Sequence, residues 1–160
     1  MGAAKVRIGV IGAGNTLMGD DGVGIAVLEL LRGKLPEKVE LVDLGTAGLS
    51  LLHILAKLDI AIIVDAVDFG GSPGESRIMT PEEVRSTKKV GLSTHDCDLL
   101  GVIELSRGLG ECPGAIVILA IQPYKVGPST ELSRPIRDEL YNFVGRIVKM
   151  VRDMADGSQT

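Results

Sequence analysis

The sequence holds almost no aromatic residues: two Phe, two Tyr and no Trp among 160 positions. Nucleobases would find nothing to stack on, and a net charge of −4 leaves no surplus of Lys and Arg to neutralise phosphates. Nucleic acid is therefore excluded as a partner. Cysteine is as sparse. Cys97 and Cys112 do not make a disulfide framework, which points to a cytoplasmic setting. Long apolar runs are missing too: Arg7, Asp59 and Asp65 interrupt or bound the best ones before they reach the roughly 18 residues of a membrane span. The opening MGAAKVRIGVIG has no signal-peptide core, and Val6 breaks the myristoylation pattern. No HExxH helix occurs, and the one GxSxG match, GGSPG (70–74), lies in a Gly/Pro loop leading to a short strand and not in a strand-to-helix elbow, so conventional zinc and serine hydrolase mechanisms are disfavoured.

What is present is a well-supplied core, with 45% hydrophobic and 24% charged residues. The length suits one domain, residues 1–154, followed by a polar, frayed tail over 155–160. Such a domain buries about 70% of the surface its unfolded chain exposes.

Continuous apolar runs end in turn residues at VRIGVIG (6–12), VELVDL (39–44), DIAIIVDAV (59–67) and AIVILAI (115–121), the pattern of strands buried on both faces. Between them, GVGIAVLELLRGKL (22–35), GLSLLHILAKL (48–58) and DCDLLGVIELSRG (96–108) carry apolar residues at helical spacing. SRIMT follows a Gly/Pro loop and reads as a short antiparallel edge strand; Thr80 and Pro81 then open a helical turn. Residues 87–95 read as a loop, and a last helix starts at Ser133 as N-cap and runs to about Met154. Strands alternating with helices predict an α/β fold: a three-layer, doubly wound, mostly parallel sheet of about five strands with helices on both faces. Ligands of such sheets bind beyond the carboxyl ends of the strands, here the loops after residues 11, 44, 65 and 121.

The loop after the first strand, GAGNTLMGDDGVG (12–24), resembles a dinucleotide-binding turn, but Leu17 stands where the third glycine belongs. Asp20 and Asp21 precede the helix, where carboxylates compete with a phosphate for the same N–H groups. One of them caps the helix, and Asp20 is the better candidate. Asp65 ends the most apolar strand of the chain, where a carboxylate is expensive unless paired or metal-bound. In a sheet of order 2-1-3 the tips carrying Asp21 and Asp65 are neighbours, and two carboxylates about 4 Å apart repel by about 4 kcal/mol at an effective dielectric of 20. A proton or a cation must relieve that.

Asp43, ending the second strand, is an intermediate candidate, and Asp68 reads as loop. Of the two histidines, His53 lies in a helical apolar pattern and reads as packed. His95, in LSTHDCD, could complete a divalent site with the two carboxylates, or belong to a helix cap. Cys97 as a nucleophile with His95 as base is the weaker reading, because free cysteines are usually small buried hydrophobes.

Together, GAGNTLMGDDGVG, DLGTAG (43–48), VDAVDFG (64–70) and STHDCDLLGVIELSR (93–107) resemble the hydrogenase maturation endopeptidases, over nearly the whole chain. The resemblance implies a nickel-dependent hydrolase that removes a C-terminal extension from the nickel-loaded precursor of a NiFe-hydrogenase large subunit. It further implies Asp21, Asp65 and His95 as metal-reading and catalytic residues. Asn15, Gly45, Thr46 and Gly48 would lie along the substrate. The nickel would be presented by the precursor, with no tightly bound cofactor of the protein's own and a monomer when free. The competing expectation is a non-catalytic nucleotide-binding or regulatory module of the same doubly wound architecture.

Overall fold

The computed structural model describes residues 2, 4–87 and 94–157, with 94–98 described by backbone alone. Five strands form one sheet: β1 (Ile8–Ala13), β2 (Glu40–Gly45), β3 (Ile60–Ala66), β4 (Ser76–Met79) and β5 (Ala115–Ile121), in the order β2-β1-β3-β5-β4. The first four in that order run parallel. β4 pairs antiparallel with β5 at the edge, as its short Gly/Pro connection predicts. The loop from β3 to β4 is too short for a parallel crossover, so β4 runs opposite to β3 and lies one strand beyond it, against β5.

Strand residues alternate between two cores. Ile8, Val10, Ile62, Val64, Leu119 and Ile121 face one side, where α1 (Val23–Leu31) and α5 (Arg134–Gly157) cover them. Ile11, Ala61, Ile63, Ile116, Ile118 and Ala120 face the other, beneath α2 (Ser50–Leu55), α3 (Pro81–Thr87) and α4 (Thr94–Gly108). The three-layer expectation is thus met.

Local chemistry explains several element ends. Thr80 Oγ1 accepts the Glu83 N–H at 3.2 Å, satisfying one orphan donor at the start of α3, and donates to Glu83 Oε1. Across the α3–α4 contact, Arg85 pairs with Glu104 and Arg107 with Glu82. Helix α1 stops at Leu31, short of residue 35, because Arg32 turns to ψ 125°. α5 continues to Gly157, so residues 155–157 belong to the helix rather than to a frayed tail. His53 is exposed on the six-residue α2 instead of packed.

Candidate functional site

β1 and β3 are adjacent and in parallel register, so their carboxyl ends emerge side by side. Just past β1, Gly14 adopts φ 124° and donates its N–H to the Gly45 carbonyl at 3.0 Å, tying the acidic loop to the turn after β2. Only glycine fits there: a Cβ would lie 1.9 Å from the Asp21 carbonyl oxygen.

The loop from Asn15 to Gly22 is a chain of tight turns. Asn15 Oδ1 accepts the Leu17 N–H at 2.9 Å and its carbonyl accepts the Met18 N–H at 3.1 Å, an Asx-type turn. The Asn15 N–H donates to Asp21 Oδ2 at 3.0 Å. Asp20, Asp21 and Gly22 then form a single 3-10 turn that leads into α1. Asn15, expected along the substrate, also organises this loop through its Oδ1.

Asp21 and Asp65 are 3% and 4% exposed, two carboxylates buried at one end of the sheet. Asp65 lies opposite Ala120 of β5 and lines a small pocket with Gly14, Leu44, Gly45, Thr46, Gly48 and Leu99. The 3-10 turn bearing Asp21 packs against β3, the strand bearing Asp65. The structure therefore brings Asp65 together with Gly45, Thr46 and Gly48, and reaches Asp21 through Gly14. His95 stands in the first turn of α4, with its side chain outside the described residues, as is that of Cys97. Residues 88–93 of the expected loop also lie outside them, whereas 94 and 95 are helical. Asp43 is exposed and does not line the pocket. Among the described residues no three His, Cys, Asp or Glu side chains cluster as a metal site. Next to the pocket, and sharing Gly48 with it, a groove of about 670 Å³ runs between Ala47–Ser50 and Gly101, Val102 and Leu105 of α4.

Asp20 corrects one expectation. It caps neither the 3-10 turn nor α1 with its side chain. Instead its carboxylate, 0% exposed, accepts from Tyr124 N at 2.9 Å, Lys125 N at 2.8 Å, Ser133 N at 2.7 Å and Ser133 Oγ at 2.7 Å. Ser133, expected as an N-cap, therefore donates its hydroxyl to Asp20, while its carbonyl accepts the N–H groups of Ile136 and Arg137. Gln122 directly follows β5. Its buried Oε1 accepts from Phe69 N at 2.9 Å and Gly71 N at 3.1 Å, and its Nε2 donates to Asp68 Oδ1 at 3.1 Å. No local spacing signals either arrangement, because the partners are more than 50 residues away in sequence.

The turn that would cradle a pyrophosphate is thus filled by buried carboxylates and their own donors. A family model described as hydrogenase maturation protease, HycI, matches residues 25–150. The chain belongs to the hydrogenase maturation protease family. It is 36% identical over 141 residues to the hydrogenase expression/formation protein HupD of Bradyrhizobium diazoefficiens, covering 84% of this chain and 72% of that one. It is 31% identical over 151 residues to the hydrogenase 2 maturation protease of Escherichia coli K12, covering 92% of each. Among solved structures, the hydrogenase maturating endopeptidase HybD from E. coli superposes with a TM-score of 0.85 at 31% identity, covering 93% of this chain and 94% of that chain. This maturation protease is accordingly a hydrolase, an endopeptidase with the α/β fold of its relatives. The nucleotide-binding alternative finds no support among them. No helix among the described residues is long and apolar enough to cross a membrane.

Proposed function

We propose that this maturation protease acts in the cytoplasm, as a monomer when free, on the nickel-loaded precursor of a NiFe-hydrogenase large subunit, and removes its C-terminal extension. The domain that does so runs through the end of α5 at residue 157. The observation that carries this reading is the pair of buried carboxylates, Asp21 and Asp65, at the carboxyl edge of adjacent strands. A divalent cation on an incoming substrate is matched by two carboxylates held close to one edge of the sheet.

Two carboxylates and an imidazole are a donor set for a borderline divalent ion such as nickel. Asp21, Asp65 and His95 would be the protein's ligands to the nickel that the substrate presents, and the metal would polarise the scissile carbonyl or fix its position. The protein's own residues do the rest. Gly45, Thr46 and Gly48 border the pocket beside Asp65, and their main chain orients the extended tail. Hydrolysis adds a water oxygen to the scissile carbonyl carbon, breaks the C–N bond and passes the water proton to the leaving amine. A carboxylate within hydrogen-bond reach of that water is suited to carry the proton between the two.

The test is incubation with nickel-loaded and nickel-free precursor, following the C-terminal tail by mass spectrometry. Cleavage of the loaded form alone is expected. An uncut loaded precursor, or an Asp21→Asn variant cutting at the wild-type rate, overturns the proposal.

A further inference from the structure

Asp21 is held from two sides. On one, the Asn15 N–H reaches its Oδ2, and Gly14 packs against its carbonyl. On the other, the residue before it in the chain, Asp20, is anchored by all four of the hydrogen bonds described above, with both carboxylate oxygens engaged. Those donors come from the loop between β5 and α5, far from the acidic loop in sequence. The same two segments are also joined along their main chains. Gly19 N donates to Ser129 O at 2.9 Å, Ser129 N to Leu17 O at 3.0 Å and Asp20 N to Lys125 O at 3.1 Å. Residues 17–20 thus lie against 125–129, with isolated bridges at Met18–Ser129 and Gly19–Val126.

We infer that Asp20 is the positioning residue for Asp21, a buried clamp through which the loop from Tyr124 to Ser133 sets the place of the functional carboxylate. The inference rests on the role proposed above for Asp21. Its physical basis is that a single peptide unit joins the two aspartates, so any turn of the Asp20 Cα is passed directly to the Asp21 Cα. The rest of the loop is a run of two- and three-residue turns bonded to one another. Carboxylate acceptors with several short donors are strong and directional, which suits them to fix a geometry and not merely to add stability. Displacement of a reacting group by as little as 1 Å is enough to slow an enzyme about a hundredfold.

A staple that only stabilised the fold would alter melting and leave turnover per folded molecule alone. The experiment therefore measures kcat and KM for cleavage of nickel-loaded precursor, with thermal melting, for Ser133→Ala, Ser133→Thr, Asp20→Asn and Asp21→Asn. Ser133→Ala removes one of the four donors; its kcat is expected to fall about tenfold, with KM unchanged, at a temperature where the variant is fully folded. Ser133→Thr keeps the hydroxyl and is expected to restore kcat. Asp20→Asn turns an NH₂ donor toward donors and is expected to lose more. If it does not fold, the Ser133 pair decides alone. A kcat for Ser133→Ala within about twofold of wild type, or equal losses in the Ala and Thr variants, overturns the clamp. Should Asp21→Asn itself cut at the wild-type rate, the site reading and the clamp both fall. If Asp21→Asn is dead while the Asp20 and Ser133 variants are fully active, only the clamp falls.

Discussion

Gly24, in the first turn of α1, lies against the carbonyl oxygen of Val64, one residue before Asp65: a Cβ on Gly24 would come within 2.3 Å of that oxygen and 2.5 Å of the Ala13 carbonyl. The helix that follows the acidic loop therefore starts directly on the tips of β1 and β3. Gly24→Ala must push the helix off the sheet or bend both strands. A loss of about 1–3 kcal/mol is expected, as for overpacking in a core, visible as a drop of several degrees in Tm. An unchanged Tm would show that the helix start can shift freely.

Gly14→Ala strikes the site from within. Its φ of 124° is strained for any residue with a Cβ, and the methyl would meet the Asp21 carbonyl. The expected result is a loss of cleavage of about a hundredfold or more, beyond what the loss of stability explains. Comparing initial rates with the folded fraction by circular dichroism checks it.

Asp65→Asn keeps the shape and removes the charge. If Asp65 and Asp21 are the acidic half of the metal-reading site, each single Asn variant should lower kcat by about a hundredfold or more while far-UV circular dichroism is retained. His95→Ala should do the same. Wild-type turnover in any of the three would remove that residue from the site.

Gln122 tests the scaffold and not the chemistry. Gln122→Leu leaves the Phe69 and Gly71 N–H groups without their acceptor. About 1–3 kcal/mol of stability should be lost, read as a lower denaturant midpoint at unchanged slope.

The α3–α4 pair of Glu82 and Arg107 gives a pH dependence. Hydrogen bonding from Arg107 holds the Glu82 carboxyl below its usual 4.5. A lowered folded value means that this contribution is intact above pH 4.5 and is lost as the pH falls through the folded value. Tm should therefore decline as the medium is taken below that point, and Arg107→Ala should flatten the decline. Both side chains are largely exposed, so the effect is small and shrinks in high salt.

The sheet was legible because its buried strands announce themselves: IGVIGA, IAIIVDA and AIVILAI can pack only between two layers. Asp65 was legible for the same reason, as a carboxylate closing an apolar run. Asp21 followed from the adjacency of strands in the 2-1-3 order, whereas the Gly45–Gly48 turn came from the family resemblance. Asp20 was not legible. Next to a helix it has the local signature of a cap, and the donors it takes instead are 104 to 113 residues further on. His53 shows the opposite failure: an apolar period over six residues says little about which side of so short a helix meets water.

The bond from Ser133 to Asp20 spans 113 residues, and so it also fixes an order of events. A chain emerging from the ribosome delivers the acidic loop first and Ser133 more than a hundred residues later. Until that serine arrives the acidic loop lacks the hold that shapes it, so the loop at the tips of β1 and β3 takes its final form only after every strand of the sheet has been made.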